Sequence, residues 1–334
     1  MEETNPPFME FYKNLFDNHQ VSNKDENGAN LYEVEEWELP VIDLMRLDSG
    51  GFEGANCKRE IADASRKWGF FQVINHGVSS EILEKMRCEQ MKAFKKTFVE
   101  KTSNHHDLNF PVGSYRWGTP SATSLTQLAW SEAFHVPLND ISNMAGVTSL
   151  RTTMEQFATK VSNLAETLAE ILAEELGRKS NFFKENCLPS TCYLRMNRYP
   201  PCPISPQVFG LMPHTDSDFL TILHQDQIGG LQLVKDGKWI AVKPNKEALI
   251  INIGDLFQAW SNDVYKSVEH RVIANRQSER FSTAFFFCPS YETMIQSCVE
   301  NSIYRRFSFK EFRQQVQDDV KKLGYKIGLP RFIL

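Results

Sequence analysis

Apolar residues recur at steps of three and four between positions 149 and 176: Leu150, Met154, Phe157, Val161, Leu164, Leu168, Leu172 and Leu176, with Gly177 following. The spacing predicts one long amphipathic helix, and the glycine gives it a natural stop. Earlier in the chain, "LPVIDL" (39–44) and "GFFQVINHG" (69–77) read as strands. A helix ending near Trp68 precedes the second of these, and another is expected from about Ser80 to Val99. Beyond residue 190 the period shortens towards two. "TCYLRMNRY", "FLTILHQ", "GLQLV", "WIAVKP", "ALIINIG", "HRVIA" and "RFSTAFFFCP" follow one another closely, and Asp236-Gly237 turns a hairpin between the third and fourth. Many close-spaced antiparallel strands predict a barrel or double-sheet jelly roll, backed by the earlier helices. A last amphipathic helix is expected over 308–323.

Positions 1–36 are mostly polar, and "NHQVSNKDENGAN" within them reads as loop or disorder, so this segment is expected to be flexible. A single ordered domain is expected over 37–334: a helical and strand part at 37–188, the strand-rich core at 189–300 and the closing helix. At 334 residues and 41% hydrophobic content the chain can fill a sizeable core. A net charge of −5, with both signs interspersed, offers no reason to expect nucleic acid or an anionic membrane. No window approaches the ~18 apolar residues of a membrane helix, and "MEETNPPFMEFYKN" lacks the apolar centre of a secretory signal. The seven cysteines include no CxxC pair, which argues against a structural zinc site or disulfide framework and for a reducing compartment. The expected state is a monomer in the cytoplasm, with the nucleus as a second compartment.

Chemistry enters at "GLMPHTDSDFLTIL" (210–223), where His214 and Asp216 stand two apart ahead of a strand. About half of chains of this composition would carry such a pair by chance, so the pattern alone decides little. In extended chain, however, residues i and i+2 face one side about 6.6 Å apart, close enough to converge on one ion. His270, in "YKSVEHRVIA", opens another strand and can supply the third ligand. Two imidazoles and one carboxylate form the facial set of non-haem Fe(II) oxygenases and leave three positions open. The other histidines fit less well: His224 lies ten residues from His214, His76 sits in a turn, and His19, His105 and His106 lie in polar stretches.

Arg280 and Ser282, in "RFSTAFF", stand two apart inside an apolar strand. A buried arginine there is costly without an anionic partner. A small dicarboxylate would serve, held by the guanidinium fork and the hydroxyl. With Fe(II), Asp216, 2-oxoglutarate and Arg280 together, the charges cancel. A zinc hydrolase would use the two histidines and the aspartate but would leave the Arg-x-Ser pair unexplained.

"H-T-D", the distant histidine and "R-F-S", together with "WGFFQVINHG" (68–77) and "NRYPPCP" (197–203), resemble the plant 2-oxoglutarate/Fe(II)-dependent dioxygenases. "GSYRWGTPSATS" (113–124), "LAWSEAFHVPL" (128–138) and "INIGDLFQAWSNDVYKSVEHRV" (251–272) resemble the gibberellin 2-oxidases, and among them the class acting on C20 gibberellins. The resemblance implies a mainly β fold with α elements, a double-stranded β-helix (jelly-roll) core flanked by helices. It implies His214, Asp216 and His270 as iron ligands, and Arg280 and Ser282 as anchors of the distal carboxylate of 2-oxoglutarate. Tyr199 would assist that carboxylate, and Asn197 would lie near the metal-bound end. The implied reaction uses O2 and 2-oxoglutarate as co-substrates, ascorbate as reductant and a ferryl-oxo intermediate, and hydroxylates C2 of a gibberellin. C19 gibberellins, another terpenoid or a phenolic remain alternative substrates, and a non-catalytic gibberellin receptor is the rival of a different class, disfavoured by the intact ligand set.

Gibberellins are rigid apolar carboxylates, so the substrate site should be aromatic with one or two cations. Strand alternation puts Tyr193 and Arg195 on the face of Asn197 and Tyr199, and extends the Ser282 face to Phe286 and Cys288. Phe285 and Phe287 should pack behind. Arg195 and Arg116, the latter in "SYRWG", are the candidate carboxylate partners. "WSEAFH" (130–135) reads as a further strand at the mouth, in which Glu132 and His135 can pair with each other.

Overall fold

A computed structural model describes residues 4–22, 34–103, 110–144, 148–178, 181–204 and 208–334. Two sheets face each other across a cavity. The larger has eight strands in the spatial order Val41–Asp43, Phe70–Ile74, Leu249–Ile253, Leu220–Gln225, Arg280–Phe287, Tyr193–Tyr199, Glu132–Pro137 and Tyr115–Trp117. The smaller has five, ordered Glu36–Trp37, Lys238–Val242, Leu231–Lys235, His270–Ile273 and Phe209–His214. This is the expected jelly-roll core, with helices on one side. Asp236 and Gly237 both have positive φ at the tip of the expected two-residue hairpin, where Lys235 pairs with Lys238.

Alternation along each strand of the larger sheet separates two environments. Leu194, Met196, Ile222, Ile251 and Phe285 point outwards and join the main core with the helices Gly51–Lys67, Ser80–Phe94 and Ser149–Glu174. Tyr193, Arg195, Asn197, Thr221, Asn252 and Ser282 point inwards to the cavity. A second apolar cluster, including Leu231, Leu233, Ile250 and Val272, fills the rest of the space between the sheets.

Three elements depart from the expected pattern. The helix expected to run to Val99 ends at Phe94, because Thr97 and Glu100 form a capping box that starts a new helix, Phe98–Thr102. A short helix, Asp255–Trp260, follows the Leu249–Ile253 strand in a stretch for which only the flanking strands were expected. The leader is not wholly flexible. Phe8–Phe11 and Lys13–Ser22 are helical, and Phe8, Tyr12 and Phe16 are buried. Phe8 stacks on Trp130 at 4.4 Å, and Tyr12 Oη accepts from the backbone N–H of Thr119. Residues 23–30 of the expected loop, and His105 and His106, lie outside the described residues.

Candidate active site

The antiparallel register sets His270 directly across from His214, where the two strands end beside the turn carrying Asp216. Each imidazole is oriented from behind. His214 Nδ1 meets the Met212 carbonyl at 2.7 Å and His270 Nδ1 the Val268 carbonyl at 3.0 Å, which turns both Nε2 atoms inwards. Asp216 Oδ1 lies 3.5 Å from His214 Nε2 and 3.8 Å from His270 Nε2. Its other oxygen accepts from Thr221 Oγ1 at 2.7 Å and Asn252 Nδ2 at 2.8 Å. One oxygen is thus fixed by the protein and one is left for an ion. Among the described residues this is the one group of three or more His, Cys, Asp or Glu side chains placed to share a metal.

Burial opposes ionisation of Asp216, but the neighbouring His270 and His214 and the Asn252 hydrogen bond overcome it and hold the carboxyl well below its usual range. Burial, and then His214, push His270 down to about 4. At neutral pH the set is one carboxylate and a neutral His270, as metal ligation requires. The turn itself is docked on the start of the Asp255–Trp260 helix: Asp255 N donates to the Asp216 carbonyl and Leu256 N to the Asp218 carbonyl, both at 2.9 Å. Gly254 is obligatory there, since a Cβ would lie 2.2 Å from the Asp218 carbonyl oxygen. Lys326, arriving from beyond the closing helix, clamps the turn from outside, donating to the Thr215 carbonyl and Ser217 Oγ and pairing with Asp255 at 2.5 Å.

Farther along the cavity, Arg280 is 2% exposed with no carboxylate of the described residues in ion-pair range. Its Nη2 donates to Gln225 Oε1 at 2.7 Å, its Nη1 is 3.5 Å from Ser282 Oγ, and its Nε has no partner. The guanidinium lies over the Tyr199 ring at 4.9 Å. A buried, aromatic-backed cation with free donors is an anion site waiting for its anion.

Comparison with known proteins bears on both halves of this site. The 2OG-Fe(II) oxygenase superfamily pattern matches residues 190–289, and that of the N-terminal region of non-haem dioxygenases in morphine synthesis matches 39–151. The chain is 61% identical to gibberellin 2-beta-dioxygenase 8 of Arabidopsis thaliana, over 98% of both chains. The chain belongs to the 2-oxoglutarate/Fe(II) oxygenases. It is 52% identical to gibberellin 2-beta-dioxygenase 6 of Oryza sativa subsp. japonica, over 90% of this chain and 86% of that one. The crystal structure of JOX2 in complex with 2OG, Fe and JA superposes with a TM-score of 0.75 and 30% identity, covering both chains in full. Iron and 2-oxoglutarate are accordingly the cofactor and co-substrate of this oxygenase, and the His214, Asp216 and His270 donor set fits Fe(II).

The cavity of this oxygenase measures about 360 Å³. Tyr193, Arg195, Asn197, Tyr199, Ser282 and Phe286 all line it, as strand alternation predicts. Phe286 stacks on Tyr193 at 4.4 Å, while Phe285 and Phe287 pack in the core behind. Two residues expected at the cavity lie elsewhere. Cys288 follows the end of the strand at Phe287, where alternation no longer applies, and is buried against Cys192. Arg116 is exposed on the three-residue edge strand. Glu132 and His135 do not pair, because their odd separation puts them on opposite faces. Glu132 binds Lys101 and Arg198 inside the protein, and His135 lies against Tyr193 with ring centroids 4.0 Å apart.

Four site residues went unforeseen. Asn252, Gln225 and Lys326 carry no local motif, and Arg313 lies on the closing helix, Phe309–Leu323, which contributes Arg313, Val316 and Val320 to the cavity wall. The amphipathic period of that helix was visible, but not which cavity it would cover.

Proposed function

We propose that this oxygenase catalyses the 2-oxoglutarate- and O2-dependent 2β-hydroxylation of gibberellins, C20 gibberellins being the substrates, and thereby inactivates them. The observation that carries this reading is the near full-length 61% identity to a gibberellin 2-beta-dioxygenase. The cavity is of the matching chemistry. Its wall is the Tyr193–Phe286 stack, and Arg195 and Arg313 bring two cations to it without a carboxylate partner among the described residues.

In the proposed roles, His214, Asp216 and His270 hold the iron. Arg280 and Ser282 take the distal carboxylate of 2-oxoglutarate, with Tyr199 backing the guanidinium and Asn197 bridging towards Arg195, whose Nε donates to Asn197 Oδ1 at 2.8 Å. Arg195 and Arg313 orient a substrate carboxylate so that the A ring faces the metal, and the closing helix keeps water from the reacting carbon. Bound iron supplies the oxidising power for an unactivated C–H bond. Ascorbate serves to keep it reduced.

The test is a coupled assay with Fe(II), ascorbate and 2-oxoglutarate, in which matched C20 and C19 gibberellins are supplied and succinate and product mass are followed together. A product one oxygen heavier, formed with equivalent succinate from C20 substrates, is expected. Succinate at the substrate-free rate with every gibberellin would discard the hormone and leave the oxygenase.

A further inference from the structure

Gln225 ends the Leu220–Gln225 strand, directly across the ladder from Ser282 and two residues of register from Arg280. It is 3% exposed and uses only one end of its amide. Oε1 accepts from Arg280 Nη2 at 2.7 Å, while Nε2 is buried with no partner. A buried donor left unpaired destabilises the folded chain.

A glutamate at this position would be better for the protein alone. It has the same shape, would accept from Arg280 as a charged pair and would leave no donor stranded. The amide therefore costs local stability relative to a carboxylate. The reason lies in the charge of Arg280, which has Gln225, Ser282 and the Tyr199 ring around it and no carboxylate of the described residues in ion-pair range. A glutamate at 225 would cancel that charge from inside.

We propose that Gln225 is a specificity-determining positioning residue of the dicarboxylate pocket. It holds the guanidinium fork as a neutral acceptor and so keeps the charge of Arg280 available to the distal carboxylate of 2-oxoglutarate. The selection acts on the co-substrate and is independent of which molecule is hydroxylated.

The test titrates the anaerobic, Fe(II)-loaded full chain by calorimetry with 2-oxoglutarate and with 2-oxopentanoate, which lacks the distal carboxylate. Thermal unfolding of the ligand-free protein is recorded beside it. Gln225→Glu should weaken 2-oxoglutarate at least about tenfold, leave 2-oxopentanoate unchanged and raise the unfolding temperature. Gln225→Met, which keeps the positive charge and loses only the acceptor, should weaken 2-oxoglutarate by a smaller factor. Unchanged 2-oxoglutarate affinity in Gln225→Glu would overturn the proposal, as would equal losses for both ligands, which would mark general damage to the pocket. If Gln225→Glu does not fold, Gln225→Met still decides. A loss as large as that of Arg280→Met would make geometry, not charge, the role of the amide.

Discussion

Asp216 gives one oxygen to the protein and leaves the other for an ion. Thr221 and Asn252 fix Oδ2, and Oδ1 faces the two imidazoles. Asp216→Ala should therefore abolish Fe(II) binding, read as metal content after dialysis, and turnover with it. Arg280→Ala separates the two halves of the site. It should retain iron and weaken 2-oxoglutarate at least about tenfold, since hydrogen bonds to charged groups are worth ~1.5–3 kcal/mol each. Equal 2-oxoglutarate affinity in that variant would remove Arg280 from the dicarboxylate pocket. These residues were legible because each pair, His-x-Asp and Arg-x-Ser, uses the two-residue repeat of a strand, a spacing that covalent geometry enforces. Gln225 and Asn252 obey the same alternation, but an isolated amide has no partner in sequence to mark it. Cys288 was misplaced because the repeat was carried one residue past the end of its strand.

Elements were legible where their apolar period was strong and their stops were local. The Ser149–Glu174 helix ends two residues before the expected point, and Gly177 takes the left-handed conformation just beyond. The leader was read as polar although Phe8, Tyr12 and Phe16 stand four apart, a helical spacing diluted by the charged residues between them. Phe8→Ala should cost about 3 kcal/mol of stability, because Phe8 is 2% exposed and stacked on Trp130; denaturant unfolding measures it. An unchanged midpoint would mean that the leader adds nothing to the fold. At the other end, Lys326 holds the turn that carries Asp216 through Thr215, Ser217 and Asp255. Lys326→Met should lower metal affinity about tenfold, the lower end of what loss of an outer support costs a metal site. A Co(II) titration checks this, and wild-type affinity would confine the lysine to tethering the tail.

At the scale of the whole molecule, the jelly roll was readable from closely spaced strands and a hairpin, but the way helix, tail and sheets meet over one cavity was not. Such contacts join residues more than a hundred positions apart. Their electrical consequence is testable through two histidines outside the His214, Asp216 and His270 group. His135 is pushed down to about 4 by burial and then by Arg195, Arg116 and Arg313, and His224 to about 4 by burial and then by His76. Both are therefore neutral in the folded protein at pH 7. In the unfolded chain each histidine takes its proton near the ordinary 6.5. Between about pH 6.5 and pH 4 the unfolded state thus binds more protons, and stability must fall as pH falls through that window, by up to roughly 1 kcal/mol per pH unit for each histidine. Above the window neither histidine contributes a slope, and below it their contribution levels off. Urea unfolding at a series of pH values, with and without bound Fe(II), measures the effect. His135→Gln/His224→Gln should flatten the profile whether or not iron is present, because neither side chain belongs to the His214, Asp216 and His270 group. If the double variant and the wild type lose stability in parallel, the acid sensitivity belongs to other groups, and the neutrality of His135 beside the arginines would have to be abandoned with it.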